Sequence, residues 1–326
     1  MIMILIAMIT ILISIFNSRI PIVLIAAVML LAACGDGDDA SDGLTVVATT
    51  SIWGDVVAEI VGDDAEVEVL IPRNSDAHDY QPTSQQAASL LGADLVVANG
   101  LGLEEGFHDV LESAEGDGAN VLELAPLLDP LPLESLDPHD DAEEETEDDH
   151  GDRDPHVWFD PRRVATAAEL IAAELNSVDG SIDWKSRART YVEELDAIDE
   201  EIRALLSAVP EKRRRIVTNH QALGYVADRY GLEIVGVVIP GGSTLSDPSS
   251  AELAELVHTI QEGDIDVIFT ETSVPSQLAE AVAAEIGRDI EIVALYTESL
   301  GDAGTSAATL TGMLVENATR MSEALG

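Results

Sequence analysis

From Leu44 onward the chain runs one pattern twice: short apolar runs of strand length alternate with longer segments of helical period. The first series reads LTVVATT (44–50), VEVLI (67–71), DLVVA (94–98) and VLEL (121–124), with helical stretches from Asp55 to Val61, Ser84 to Leu91 and Glu104 to Glu112 between them. The second reads RIVTN (215–219), EIVGVVI (233–239), DVIFT (266–270) and IEIVAL (290–295). Strands alternating with helices predict parallel sheets covered by helices, so the expected fold is α/β with two lobes, over residues 44–181 and 210–326. Between the series, Ile182 to Val209 contains no glycine and spaces Tyr191, Leu195, Ile198, Ile202, Leu205 and Leu206 at helical intervals. That predicts one long amphipathic helix over 182–209, stopped by Pro210. A helix is stiffer than a loop, which makes large hinge closure between the lobes unexpected. At the start of a later helix, Asp247 is placed to cap and Pro248 fits the first turn.

Charge narrows the partners. Sixteen basic residues against 62 acidic give a formal net charge of −46, and no basic stripe exists to displace counterions from a polyanion, so nucleic acid is excluded as a partner. Such a charge suits either a salty medium that screens self-repulsion or simple solubilisation. Residues 1–34 are almost wholly apolar and end in Leu31-Ala32-Ala33-Cys34-Gly35, followed by the polar stretch GDGDDASDG (35–43). Small residues before a cleavage point read as an export signal. A lone cysteine at that point resembles a bacterial lipoprotein signal, in which Cys34 is lipidated and 35–43 is a tether; the alternative is a membrane-spanning anchor. With Cys34 the only cysteine, no disulfide can form within the chain. The segment 134–154 breaks all periodicity, carries His139 and His150 among carboxylates, and reads as a mobile acidic loop.

Three histidines carry the chemistry. His78 lies in LIPRNSDAHDYQP (70–82), His156 in DPHVWFDP (154–161) and His220 in IVTNHQALGY (216–225). Each sits in a short polar loop or turn, the first and third directly after a strand-like run, which is how a metal site is assembled from separate loops on a rigid scaffold. Neutral imidazole binds zinc and manganese, and a fourth position calls for a carboxylate or water. Glu298, in LYTESLGDAG (295–304), again follows a strand and is the candidate carboxylate. Glu271, at the close of VIFTE, could support a ligand from outside or serve a structural hydrogen bond. Trp158 is expected to pack beside the site, and His108 and His258 read as surface or packing residues.

Taken together, SIWGDVVAEIVGDDAEVEVLIP leading to His78-Asp79-Tyr80-Gln81-Pro82, then Asn99-Gly100-Leu101-Gly102-Leu103-Glu104, Asp154-Pro155-His156-Val157-Trp158 and Asn219-His220-Gln221-Ala222-Leu223-Gly224-Tyr225 resemble the TroA-like metal-binding solute receptors of ATP-driven zinc and manganese uptake systems. The resemblance implies two α/β lobes joined by a backbone helix, with one ion in the cleft between them. It implies His78 and His156 as ligands from the first lobe and His220 from the second. The fourth ligand, usually an aspartate, falls on Glu298, whose extra methylene changes its reach. The family's first loop commonly reads Asp-Pro-His, whereas Asp76-Ala77-His78 lacks the proline, which should loosen that turn slightly. Histidine rather than glutamate at the third position favours Zn2+, with Mn2+ as the alternative, and the acidic insertion with His139 and His150 resembles an auxiliary ion-collecting loop of the zinc receptors. The implied role is an exported, lipid-anchored monomer at the outer face of the cytoplasmic membrane. It would deliver a metal ion to an ABC permease driven by a separate ATPase subunit. No phosphate-binding loop and no HExxH helix occurs in the sequence, which argues against ATP hydrolysis by this chain and against a zinc hydrolase. An adhesin or a receptor for a metal chelate on the same scaffold are further alternatives.

Overall fold

The computed structural model describes residues 43–133 and 153–326. Cys34 with the apolar segment and tether before residue 43, and His139 and His150 with residues 134–152 of the acidic segment, lie outside the described residues. In chain order the elements are β1 (Leu44–Ala48), α1 (Ser51–Val61), β2 (Ala65–Val69), α2 (Ser84–Gly92), β3 (Leu95–Ala98), α3 (His108–Gly116), β4 (Val121–Glu123), α4 (Pro161–Val178), α5 (Trp184–Ser207), β5 (Arg215–Thr218), α6 (Gly224–Tyr230), β6 (Glu233–Val237), α7 (Ser250–Gly263), β7 (Val267–Glu271), α8 (Gln277–Ile286), β8 (Glu291–Leu295) and α9 (Leu310–Leu325). The strands form two four-stranded sheets, ordered β2-β1-β3-β4 and β6-β5-β7-β8, and every pairing is parallel. The two α/β sheets anticipated from the alternating pattern are therefore present, with the same strand order in each.

The burial follows the residue types. The central strand β3 (LVVA) is buried throughout, as a parallel strand covered on both faces must be. The edge strand β2 (AEVEV) alternates with glutamate and stays largely exposed, which keeps it from pairing with another chain. One continuous core packs Val46, Val97 and Trp53 of the first half with Leu195 and Leu206 of α5, and with Ile216, Phe269 and Leu295 of the second sheet. A smaller core lies between the other face of the second sheet and helices α7 and α8, around Ile260, Ile268 and Val282.

At three places the local structure differs in detail from expectation. The helix expected over 182–209 is present as α5, Trp184–Ser207, but a second long helix that was not expected, α4, precedes it and packs against it. α4 begins with Pro161 in its first turn and is capped by the Asp160 carboxylate on the Arg162 N–H, a start signal that suits both residue types. The cap of α7 is Ser249 rather than Asp247, because Ser249 and Glu252 form a reciprocal capping box. The helical stretch expected from Glu104 begins as a 3-10 turn, Glu105–Phe107, that Glu104 precedes and that leads into α3, while the buried Glu104 carboxylate turns back and accepts from the N–H groups of Asn99 (2.8 Å) and Gly100 (3.2 Å) and from the Thr49 hydroxyl. It fills a tight turn in which Gly100 and Leu101 both take positive φ, 81° and 55°.

Trp53 links this core to the turn, since its indole N–H donates to Asn99 Oδ1 at 2.9 Å and its ring is fully buried. Trp53→Ala is expected to lose about 3–5 kcal/mol of stability, read as a lowered urea midpoint with an unchanged slope; a loss below about 1 kcal/mol would show that the indole is not a core element.

Candidate metal centre

Parallel α/β sheets gather ligand-binding loops at the carboxyl ends of their strands, where the strand order reverses. Here the loops after β2, β5 and β8 supply His78, His220 and Glu298, and His156 arrives on the segment just before a tight turn at Val157–Phe159 and α4. The structure brings these four side chains together: one nitrogen or oxygen from each lies within 4.8 Å of all the others. All four are buried, none more than 1% exposed. Each imidazole turns Nε2 toward Glu298, His156 at 3.3 Å, His220 at 3.5 Å and His78 at 3.9 Å, and the Nε2 atoms of His156 and His220 approach to 3.1 Å. Among the described residues, neither carboxylate oxygen of Glu298 nor either ring nitrogen of His78 has a hydrogen-bond partner. Buried polar atoms without partners cost of order 1–3 kcal/mol each, so three of them, His78 Nε2 and the two Glu298 oxygens, converging on one point mark a place built for something that binds there.

Two of the three rings are oriented by carboxylates on their far side. His156 Nδ1 lies 2.7 Å from Asp154 Oδ1. His220 Nδ1 lies in a short contact with Glu271 Oε1, and Glu271 is itself held by the Asn219 amide (3.1 Å) and the Thr297 hydroxyl (2.9 Å). The supporting role considered for Glu271 is therefore met by its geometry, whereas the matching role of Asp154 went unread in the sequence. Its signal was an aspartate two residues before a histidine, the spacing of a turn in which the carboxylate accepts the N–H two residues on. Asp154 Oδ1 accepts the His156 N–H at 2.9 Å, and Asp76 Oδ1 accepts the His78 N–H at the same 2.9 Å. Ala77 in place of proline thus leaves the first turn as tight as the second. Trp158 stacks edge-on to His156, ring centroids 5.4 Å apart, and donates its indole N–H to the Thr297 carbonyl at 3.1 Å; it packs beside the cluster, as expected. The Tyr225 hydroxyl from α6 donates to the Asp154 carbonyl at 2.7 Å and accepts from the Leu131 N–H, which pins the segment carrying His156 to the second sheet.

The electrostatics divide the histidines. Burial, partly offset by Glu298, pulls His78 down to about 4. For His156 burial acts in the same direction, but the charges of Glu298 and Asp154 outweigh it and push the imidazole up to about 10. His220 is likewise raised, with burial opposed by Glu271. Glu298, despite burial, is held down at about 2 by the neighbouring imidazoles, His156 foremost. At neutral pH the cluster therefore carries a charged carboxylate whose positive partner is a proton, one that a cation could replace.

Other candidates stay outside. His258 is exposed and reaches only Glu262, 3.4 Å away on the next turn of α7. His108 shares an exposed group with Asp109 and Glu112 on α3, away from the buried cluster. No helix among the described residues is long and apolar enough to cross a membrane.

Comparison with known proteins gives a consistent picture. A family model described as "Zinc-uptake complex component A periplasmic" matches residues 46–324. The chain is 29% identical over 301 residues to a protein of Halalkalibacterium halodurans named manganese-binding lipoprotein MntA, a match covering 90% of this chain and 94% of that one. It is 31% identical over 294 residues to the zinc-binding protein TroA of Treponema pallidum, covering 87% and 90%. The solved structure of the periplasmic zinc-binding protein TroA from Treponema pallidum aligns with a TM-score of 0.77 at 28% identity, over 87% of this chain and 99% of that one.

Gly224 touches the support of His156 directly, because a Cβ at that position would stand 2.6 Å from Asp154 Oδ2. Gly224→Ala is expected to displace the carboxylate from His156 Nδ1 and weaken metal binding about tenfold, the lower end of what loss of an outer partner costs. Titration of the variant against a chelator of known affinity reads this, and an unchanged constant would mean that Asp154 does not orient the ring.

Proposed function

Since the chain belongs to the zinc-uptake complex component A family, we propose that it captures a divalent metal ion outside the cytoplasm and delivers it to the permease of an ATP-driven uptake system. His78, His156, His220 and Glu298 are the proposed ligands. The observation that carries this reading is the convergence of three Nε2 atoms on a buried carboxylate whose two oxygens have no hydrogen-bond partner. The cation is cargo, held by coordination alone, and no bond of a substrate is broken.

Zinc is the proposed ion. A tetrahedral zinc with bonds of about 2.0–2.1 Å sets its donors roughly 3.3 Å apart, and the His156–His220 separation and the three imidazole–Glu298 separations, from 3.1 to 3.9 Å, bracket that value. Three imidazoles with one carboxylate suit zinc better than manganese, which favours oxygen donors in six-coordinate sites. The manganese reading is kept by the name of the Halalkalibacterium halodurans relative. A hydrolytic zinc keeps one position open for water; with four protein donors already converging, capture is favoured over catalysis. The chain is proposed to act as a monomer tethered through lipidated Cys34, with the permease and its ATPase as partners and 134–154 as an auxiliary collector through His139 and His150. The organisation proposed is a signal segment 1–34, a tether 35–43, lobes 44–181 and 210–326, and a linking helix 182–209.

Loading must expel protons. His156, raised to about 10, holds a proton at pH 7 that a cation has to displace, and His220 is raised in the same direction, so affinity should climb as pH rises from 6 to 8. Zinc titrated calorimetrically at pH 7 in two buffers of different ionisation enthalpy should show proton release; equal heats in both would refute the assignment of these rings. Competition between zinc and manganese for the purified protein tests the choice of ion, and manganese binding more tightly would reverse it. His220→Ala should weaken zinc binding by more than the ~10–100-fold that removal of an outer partner costs, and unchanged affinity would remove His220 from the site.

A further inference from the structure

The three imidazoles differ in one respect. His156 and His220 each have a carboxylate at Nδ1, whereas His78 Nδ1 is buried and has no hydrogen-bond partner. A histidine that binds metal through Nε2 needs its other nitrogen protonated and held, because that bond fixes the tautomer and the ring orientation. The adjacent Asp76 is turned elsewhere: one oxygen takes the His78 N–H and the other the Thr244 hydroxyl at 2.6 Å. Among the described residues the nearest carboxylate is Glu105, whose Oε1 stands 3.9 Å from His78 Nδ1, about 1 Å beyond a charge-assisted hydrogen bond. That same oxygen accepts from the Ser243 hydroxyl at 2.7 Å. Ser243 and Thr244 lie on the loop after β6, so the second sheet's loop grips both acidic residues beside His78.

We infer that Glu105 is the positioning residue of His78: on loading it leaves Ser243 for the His78 Nδ1–H, completing the third carboxylate–imidazole pair. This rests on the metal-capture reading above and extends it to a residue outside the ligand set. The exchange couples the ion to the cleft mouth, since the hydrogen bond that orients His78 is formed at the expense of one that joins the two loops. Glu105 suits the task because its side chain is 43% exposed and free to turn, unlike Asp154 and Glu271, which are fixed in the interior.

The test compares Glu105→Ala, Glu105→Gln, Ser243→Ala and His220→Ala with the unaltered protein. Zinc affinity is measured by chelator competition, and the His78 ring nitrogens are followed by 15N NMR. Glu105→Ala is expected to cost about tenfold in affinity and to shift the His78 Nδ1 resonance of the loaded protein, with Glu105→Gln recovering part of the loss through its carbonyl. Ser243→Ala should raise affinity a few fold by freeing Glu105 in advance. Equal behaviour of the alanine and glutamine variants would reduce Glu105 to a bulk charge, and an affinity lowered by Ser243→Ala would show that the loop contact persists on loading; either overturns the inference. If the unaltered protein binds no zinc or manganese, the capture reading itself fails. If it binds, and His220→Ala abolishes binding while Glu105→Ala changes nothing, only the role of Glu105 falls.

Discussion

A carboxylate with almost no exposure and no hydrogen bond to either oxygen is tolerable only with positive charge at hand. Glu298 is that group, and the rest of the centre answers to it. Three loops bring an imidazole each, and the sum of their fields keeps Glu298 ionised despite its burial. The positive partner can be a proton or a metal cation, and this interchangeability makes a reversible receptor out of a buried ion pair. Around the cluster, further groups are committed to keeping the rings in place: Asp154, Glu271, Thr297, the Trp158 indole and the Tyr225 hydroxyl.

The support reaches deeper still. Glu104 closes the Asn99–Gly100 turn, Asn99 accepts from Trp53 and donates to the Pro155 carbonyl at 3.0 Å, and Pro155 precedes His156. A chain of hydrogen bonds thus runs from the core of the first sheet to one ring of the centre. Across the cleft, Ser51 contacts Ser299 at 3.2 Å and the Leu300 N–H at 3.1 Å, fastening the loop that carries Glu298 to the start of α1. The loops at the carboxyl ends of the strands are therefore cross-braced on both sheets, as a site needing fixed donor distances requires.

What could be read in the sequence is what has a local signature. The eight strands announced themselves as apolar runs between helical segments, and His78, His220 and Glu298 were identifiable because each follows such a run. α4 has its start signal in Asp160-Pro161, but its buried face is built largely of small alanines, Ala167, Ala168 and Ala172, so its apolar stripe stands out less than that of α5. Ser249 rather than Asp247 caps α7 because Glu252, three residues after Ser249, closes the capping box, a pairing that the sequence did contain. The contact of Glu105 with Ser243 belongs to another class: it joins residues 138 positions apart, and no periodicity or spacing reports it.

The core behind the two sheets is continuous, holding Val46 and Val97 together with Ile216 and Leu295, although each sheet repeats the strand order of the other. The repetition invites a picture of two interchangeable halves, but the packing denies it. A break between them would lay bare the apolar face that each lends to its neighbour, so the halves are not portable modules. Grafting one onto a foreign partner, or exchanging it between relatives to alter ion preference, would mean transplanting a dividing seam that runs through the hydrophobic interior.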